Sequence, residues 1–407
     1  MSTIAAYTSP ALGHLYPMIA VLLELQSRGH RIVIKTLAEG VPLAQSLGFD
    51  ATAIDPRIDD VAMQDWMAPN ARRALDATMA VFGARALYEI DDAREVLDTY
   101  RPDAMIIDAN CWGAASVADA AGLSWATFWP YTPFLRSRGV PPFGPGLAPW
   151  PGMPGRLRDG LLRPLVTGAL ERAMLSSLSQ VRTAAQAPSI QTSDEFLCRA
   201  KILLVATSHP FEYEHPDWGS QVHLVGPCEY DPAPSEPPSW LADIDRPIVL
   251  VSTSTEYQDD GALAVTAIGA LAAEPLHLVV TCPSGPPALD AVPSNATVTR
   301  FAPHGMILDR AVCAITHGGM GSTQKALARG VPVCAVPHGR DQFEVGRRVQ
   351  VARCGTRLPA RKLTTGRLQR AVNHARTMTD GARRVAEGYR AAGGPTRAAD
   401  LVERHLL

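Results

Sequence analysis

The sequence predicts an α/β protein built as two doubly wound, Rossmann-like domains that face a cleft. Short apolar or β-branched runs alternate with longer helical stretches, the pattern of parallel α/β architecture. The alternation halts in a proline-rich stretch from Gly226 to Pro238 and then restarts. At 407 residues the chain is also too long for one ordinary core.

Taken in order, Ile4–Tyr7 is a strand, a loop passes through Gly13, and a helix runs from about Leu15 to Ser27. Gly29 stops that helix and Arg31–Lys35 is the next strand. Ala104–Ile107 is a buried strand followed by a helix over Gly113–Ala121, and Lys201–Ala206 and His223–Val225 close the first half. The stretch from Tyr131 to Pro164 breaks the pattern, with Pro133, Pro141, Pro142, Pro145, Pro149, Pro151 and Pro154 among aromatics and glycines. A loop of that length in a compact domain is a wall or lid of a pocket, with a disordered surface insertion as the alternative.

Beyond the linker, Ile248–Ser252, Leu276–Thr281, Thr297–Arg300, Val312–Thr316 and Val333–Val336 are strands. A helix over Gly321–Arg329 is ended by Gly330 and Pro332. The chain thus divides into a first domain over 1–226, a linker over 227–240 and a second domain over 241–385. A C-terminal helix over 386–407 is expected to pack back on the first domain. In doubly wound sheets ligands sit beyond the carboxyl ends of the strands, so the loops after strands are where chemistry is sought.

Composition narrows the function. A hydrophobic share of 46% with 19% charged residues suits a globular protein with a sizeable interior. Lys+Arg of 38 against Asp+Glu of 40 gives a net charge of −2, and no charge block appears, so nothing marks a nucleic-acid surface. The seven cysteines are scattered and never form a CxxC pair, which reads as reduced thiols in the cytoplasm. Met1–Gln26 is apolar, but it lacks a basic start and is interrupted by Pro10, Gly13, His14 and Pro17, unlike a signal peptide. No run of about twenty apolar residues suggests a membrane span. Arg156–Leu178 is partly amphipathic; it reads as a lid or covering helix, with a membrane-surface helix as the alternative.

The most informative string is Thr316-His317-Gly318-Gly319-Met320-Gly321-Ser322-Thr323, set between a strand and a helix. Glycines let a backbone approach a bulky anion, and the helix start points N–H groups and its positive end at a diphosphate. Ser322 and Thr323 add hydroxyls and His317 a ring N–H. The string is neither a P-loop nor GxGxxG, which argues against nucleotide hydrolysis and dinucleotide binding. In the first half, His14 opens a helix, where the positive end favours a neutral imidazole. Asp108 follows the Ala104–Ile107 strand and would open on the same sheet edge. It can hold the imidazole tautomer and stabilise an imidazolium; it could equally cap the helix that begins near Cys111.

Arg300-Phe301-Ala302-Pro303-His304, then His317 to Thr323, then Pro337-His338-Gly339-Arg340-Asp341-Gln342, together resemble the donor signature of family 1 glycosyltransferases. The likeness is to the bacterial enzymes that decorate antibiotics and phenolics, and it spans nearly the whole chain apart from Tyr131–Gln191. It implies the GT-B fold, with acceptor binding in the first domain and nucleotide-sugar binding in the second. It further implies that Phe301 stacks on the base and Ala302 offers backbone contacts to it. His317, Gly319, Gly321, Ser322 and Thr323 would hold the diphosphate, and Asp341 and Gln342 the sugar hydroxyls. Thr255 would keep a hydroxyl near the phosphates. His14, in Gly13-His14-Leu15-Tyr16-Pro17, matches the catalytic base and Asp108 its supporting carboxylate, for a single inverting displacement. Three positions depart from the pattern: His304 replaces a glutamine, Ser254 a glycine, and Lys325 a glutamate that uridine-using relatives place on the ribose. A lysine cannot accept those hydrogen bonds, so either another group holds the ribose or the donor carries 2-deoxyribose.

The expected reaction is therefore sugar transfer from a UDP- or dTDP-sugar, with the UDP-glucose type favoured, to a hydroxyl of a small apolar natural product such as a polyketide, macrolide or phenolic. Trp66, Phe82, Trp112, Trp129, Tyr131, Phe134 and His338 are the expected acceptor-side residues, the aromatics being equally compatible with core positions. A lipid-linked acceptor, or a nucleotide-sugar epimerase on the same fold, are the alternatives. No cofactor or metal is expected: Asp243-Ile244-Asp245 spells DxD but sits at the linker edge, and the eleven histidines show no ligand spacing.

Overall fold

The computed structural model describes residues 1–232, 237–255, 260–285 and 291–407. Two all-parallel sheets form, one of seven strands and one of six. The first contains β1 (Thr3–Tyr7), β2 (Arg31–Thr36), β3 (Asp50–Ala53), β4 (Ala104–Asp108), β5 (Trp125–Trp129), β6 (Ile202–Val205) and β7 (Val222–Leu224). The second contains β8 (Ile248–Ser252), β9 (His277–Thr281), β10 (Ala296–Thr299), β11 (Ala311–Thr316), β12 (Val333–Ala335) and β13 (Gly355–Arg357). Their orders are β3-β2-β1-β4-β5-β6-β7 and β10-β9-β8-β11-β12-β13, so both halves are doubly wound.

Each sheet is apolar on both faces because helices cover both, the condition parallel sheets need. In the first domain one face packs Ile107, Trp129 and Val205 under the helices Ala71–Tyr100, Trp112–Ala120 and Gly152–Ala184. The other packs Ile4, Ile106 and Leu204 under the helix Leu12–Ser27 and the C-terminal helix Gly394–Leu406. In the second domain Met320–Ala328, Gln342–Val351 and Thr379–Ala392 cover one face, and Gly261–Leu271 and Thr365–Ala375 the other.

Several sequence expectations are redrawn. The first helix starts at Leu12 rather than Leu15, which brings Gly13 and His14 inside its first turn. The irregular stretch after Tyr131 ends at Pro151; from Gly152 a helix of 33 residues runs to Ala184 and carries Pro164 within it. Prolines dominate the local composition there, yet leucines and arginines of good helix propensity outnumber them after Pro154. The helix Thr379–Ala392 belongs to the second domain, packing Ala382, Val385 and Tyr389 into its core. The return to the first domain therefore falls at Gly393–Gly394, where Gly394 N donates to Val225 O at 2.7 Å. Beyond that point Ala398, Ala399, Leu401 and Val402 are buried among first-domain residues. Of the linker, residues 233–236 lie outside the described residues. Asp243 and Asp245 are both exposed on either side of buried Ile244.

Candidate active site

In each sheet the strand order reverses once, between β1 and β4 in the first and between β8 and β11 in the second. Loops leaving such neighbours diverge and open a crevice beyond the strand ends. β1 pairs Tyr7 with Ile107 of β4, so the next residues on each strand lead to His14 and Asp108 at that crevice. β8 pairs Ser252 with Thr316 of β11, which leads to Ser254 and His317 at the other.

His14 Nδ1 lies 2.6 Å from Asp108 Oδ2. The Asp108 side chain is fully buried and its Oδ1 accepts the Asn110 N–H at 2.8 Å. An ionised carboxylate only accepts, so Nδ1 carries the proton and the lone pair of the neutral ring stands on Nε2. Asp108 does not cap the following helix. That helix, Trp112–Ala120, has no side-chain cap of its own. Its first amides instead find Glu89, whose Oε2 accepts Gly113 N at 2.8 Å. Nothing in local spacing signals Glu89, which arrives from the middle of the Ala71–Tyr100 helix. Tyr131 donates its O–H to Asn110 Oδ1 at 2.6 Å, and its ring centroid lies 5.7 Å from that of His14. Burial, with the nearby Asp108 and Asp341 charges, pushes the Tyr131 phenol well above its ordinary range.

Asp341, on the second domain, is the partner across the crevice. Burial raises its carboxyl to about 6, while the Arg340 and His14 charges pull the other way. The His14 charge is among those acting on Asp341, so the loops that carry the two residues open on one crevice. Gln342 is buried, and its Oε1 accepts His338 N at 2.8 Å and Gly339 N at 3.2 Å, fixing the turn that presents Asp341. His338 donates Nδ1–H to Val336 O at 2.9 Å. Arg340 forms a bidentate pair with Asp65 of the first domain, at 3.0 Å from Nε and 2.9 Å from a terminal nitrogen. Asp65 sits on the short turn that also carries Trp66.

The glycine-rich turn leads into the helix Met320–Ala328, whose N-cap Gly319 provides no side-chain cap. A Cβ at Gly319 would stand 2.3 Å from His317 Nε2, so glycine is required for the imidazole to lie there. Burial lowers the His317 pKa, keeping the ring neutral, and its Nδ1 faces Ser252 O at 3.4 Å. Gly321 faces open space. Ser322 is half-buried, with Oγ donating to Gly319 O at 3.3 Å. Thr323 differs from the expectation of a phosphate-facing hydroxyl: it is fully buried and its Oγ1 pairs with Thr316 Oγ1 at 3.3 Å.

At the far end Phe301 is 51% exposed beside buried Ala302. His304 Nε2 lies 3.0 Å from Thr281 Oγ1, and burial with the Lys325 charge lowers its pKa to about 4. Lys325 Nζ is 3.4 Å from Asp231 Oδ1, while Asp231 Oδ2 accepts Gly305 N at 2.8 Å. Thr255 is exposed; the neighbouring Ser254 N donates to buried Asp260 at 2.6 Å. Asp231 and Asp260 were not legible from motifs, since each acts through a fold contact.

The expected acceptor aromatics separate into two groups. Trp112 and Trp129 are sealed in the core, and Phe134 nearly so. Phe82 meets Trp112 edge-on at 5.6 Å, and Trp129 meets Tyr131 at 5.4 Å and Phe134 at 5.2 Å. They back the site rather than line it, whereas Tyr131, Trp66 and His338 stand beside the His14 and Asp341 loops. Among the described residues, no group of three or more His, Cys, Asp or Glu side chains could hold a metal ion, and no helix is long and apolar enough to cross a membrane.

Two facing doubly wound domains with reactive groups at both switch points define the GT-B architecture. Residues 264–404 match the family model of the erythromycin biosynthesis protein CIII-like C-terminal domain. Over 419 residues the chain is 30% identical to 4'-demethylrebeccamycin synthase of Lentzea aerocolonigenes, covering 97% of each. It is 26% identical to demethyllactenocin mycarosyltransferase of Streptomyces fradiae, covering 99% of this chain and 86% of the relative. The glycosyltransferase VinC, solved in complex with dTDP, superposes with a TM-score of 0.73 at 18% identity, covering 100% of this chain and 99% of its own. The chain belongs to the GT-B glycosyltransferases of antibiotic and natural-product biosynthesis.

Proposed function

We propose that this protein is an inverting, metal-independent, cytoplasmic transferase that moves a sugar from a UDP- or dTDP-sugar to a hydroxyl of a small apolar natural product. The observation that carries the reading is the His14–Asp108 pair at 2.6 Å, facing Asp341 across the crevice. Its Nε2 lone pair takes the acceptor proton as the acceptor oxygen bonds to the anomeric carbon. The bond from that carbon to the diphosphate oxygen breaks on the opposite face, so configuration inverts. Asp108 stabilises the imidazolium, and the uncapped start of the Met320–Ala328 helix receives the diphosphate charge. Asp341 accepts from sugar hydroxyls. Phe301 offers an exposed ring to the base.

On the ribose side the helix presents Lys325, which only donates, beside Asp231, whose oxygens accept from Lys325 and Gly305 and keep further lone pairs for a ribose hydroxyl. UDP-sugars, the glucose type first, and dTDP-sugars are therefore the two donors to compare.

The test is incubation of purified protein with UDP- and dTDP-sugars and a panel of polyketide and phenolic acceptors, with product mass and anomeric configuration read directly and with chelator present. Glycoside of inverted configuration is expected. His14→Ala should lose about 10²–10⁴-fold in turnover while retaining nucleotide binding. Epimerised donor without glycoside, or normal turnover in His14→Ala, overturns the reading.

A further inference from the structure

The helix that begins at Gln342 is fastened to the first domain one turn beyond Asp341. Glu344 is 4% exposed, and its Oε1 accepts two first-domain amides, Gly144 N at 2.9 Å and Gly146 N at 2.8 Å. Its Oε2 accepts from Arg348 at 3.0 Å. Arg348, equally buried, donates Nε and a terminal nitrogen to Glu212 Oε1 at 2.9 and 2.7 Å and lies over the Tyr213 ring at 4.2 Å. Glu212 Oε2 in turn accepts the Thr132 hydroxyl at 3.0 Å. The backbone closes on the same place: Gly146 adopts φ +61, a Cβ there would stand 2.3 Å from Phe343 O, and Arg347 Nε donates to Gly146 O at 2.8 Å.

The irregular stretch 131–151 is therefore held at its start and again within its second half. Tyr131 is tied through Asn110 to the Asp108 loop, and Gly144–Gly146 is tied to the helix that carries Asp341. Stability alone does not call for this arrangement. A buried carboxylate–guanidinium–carboxylate chain incurs a desolvation cost that apolar packing would avoid, and registry is the best-attested use of such a chain. A small cavity lined by Phe134, Phe143, Leu170, Glu344 and Arg348 among others lies between the loop and the chain. The loop is seated on the helix.

We propose that Glu344 is a positioning residue that docks the 131–151 loop onto the donor-side helix, so that the acceptor wall and Asp341 are set in register. The assignment rests on the transferase reading above. Glu344→Ala should accelerate exchange of the Gly144 and Gly146 amides by about tenfold or more. It should raise acceptor KM about tenfold to a hundredfold, while the dissociation constant for the nucleoside diphosphate stays within about threefold. Glu344→Gln keeps a carbonyl for both amides and should restore most of the acceptor KM. Gly146→Ala, which leaves the buried charges intact, should reproduce the Glu344→Ala pattern. No transfer by the parent protein would sink the transferase reading itself. Unchanged protection at Gly144 and Gly146, or acceptor and nucleotide constants rising together in both Glu344→Ala and Gly146→Ala, would sink this assignment alone.

Discussion

A single carboxyl shows how burial sets a working pH. Asp341 titrates at about 6 because the crevice withholds water from its charge. Above that value it is ionised and, in the role proposed for it, would accept from sugar hydroxyls; below it the group carries a proton and loses acceptor capacity. Donor KM should therefore rise as pH falls through about 6, and Asp341→Asn should have a higher donor KM that no longer varies over the same range. Steady-state donor KM between pH 5 and 8 in both proteins checks this. Residues of this kind were legible in sequence because they sit in or beside motifs: His14, His317, Asp341 and Gln342 all lie in loops or first helical turns that follow strands. Asn110, Asp231, Asp260 and Glu89 were not, since each reaches its partner through tertiary contact and no spacing announces it. Trp112 and Trp129 show the converse limit. Aromaticity marks a residue for either pocket or core, and only the face on which its strand or helix points decides.

At the scale of elements, Glu89 links one helix to the start of another and leaves a stability signature. Burial raises its carboxyl from an ordinary 4.5 to about 8, against the pull of the two amides it accepts. The folded chain thus keeps a proton that the unfolded chain has released, so stability falls as pH rises between about 4.5 and about 8 and levels off above. Glu89→Gln retains a carbonyl for Gly113 and Ala114 but does not titrate. Between pH 6 and 8 the parent should lose about 2 kcal/mol more than this variant, seen as a Tm falling several degrees further. The turn before Met320 makes a second prediction. Gly319→Ala must displace the His317 ring by its 2.3 Å clash, and nucleotide affinity should drop about tenfold or more in calorimetric titration while Tm changes little. Apolar strands such as β8 and β11 were readable from composition alone. β3 and β13 are short and carry polar residues or glycine, and β5 is aromatic rather than β-branched, so none stood out from flanking loops. Most of the Gly152–Ala184 helix was legible in the amphipathic Arg156–Leu178 stretch; its first turn was not, because Pro151 and Pro154 read as loop although prolines are tolerated at a helix start.

On the scale of the molecule, the chain crosses between domains twice, once between Cys228, buried in the first core, and Asp231, which accepts from Gly305 of the second domain, and again at Gly393–Gly394. The second crossing delivers residues 394–406 to the first sheet, where Leu401 is 1% exposed against the same core as Ile106 and Leu204. Arg28 reinforces the seat from the first helix, reaching Asp400 at 2.8 Å and Glu403 at 2.7 Å, but these partners are partly exposed and add little beside the apolar contact. The C-terminal residues thus belong energetically to the domain at the other end of the chain. Leu401→Ala should cost about 2–5 kcal/mol, all of it drawn from the first domain. Hydrogen exchange should accelerate in β1 and β4 and stay unchanged in β8 and β11, although residue 401 follows the second domain in sequence. Equal acceleration in both sheets would mean that the domains unfold as one unit, with closure of the crevice rather than the local core setting stability.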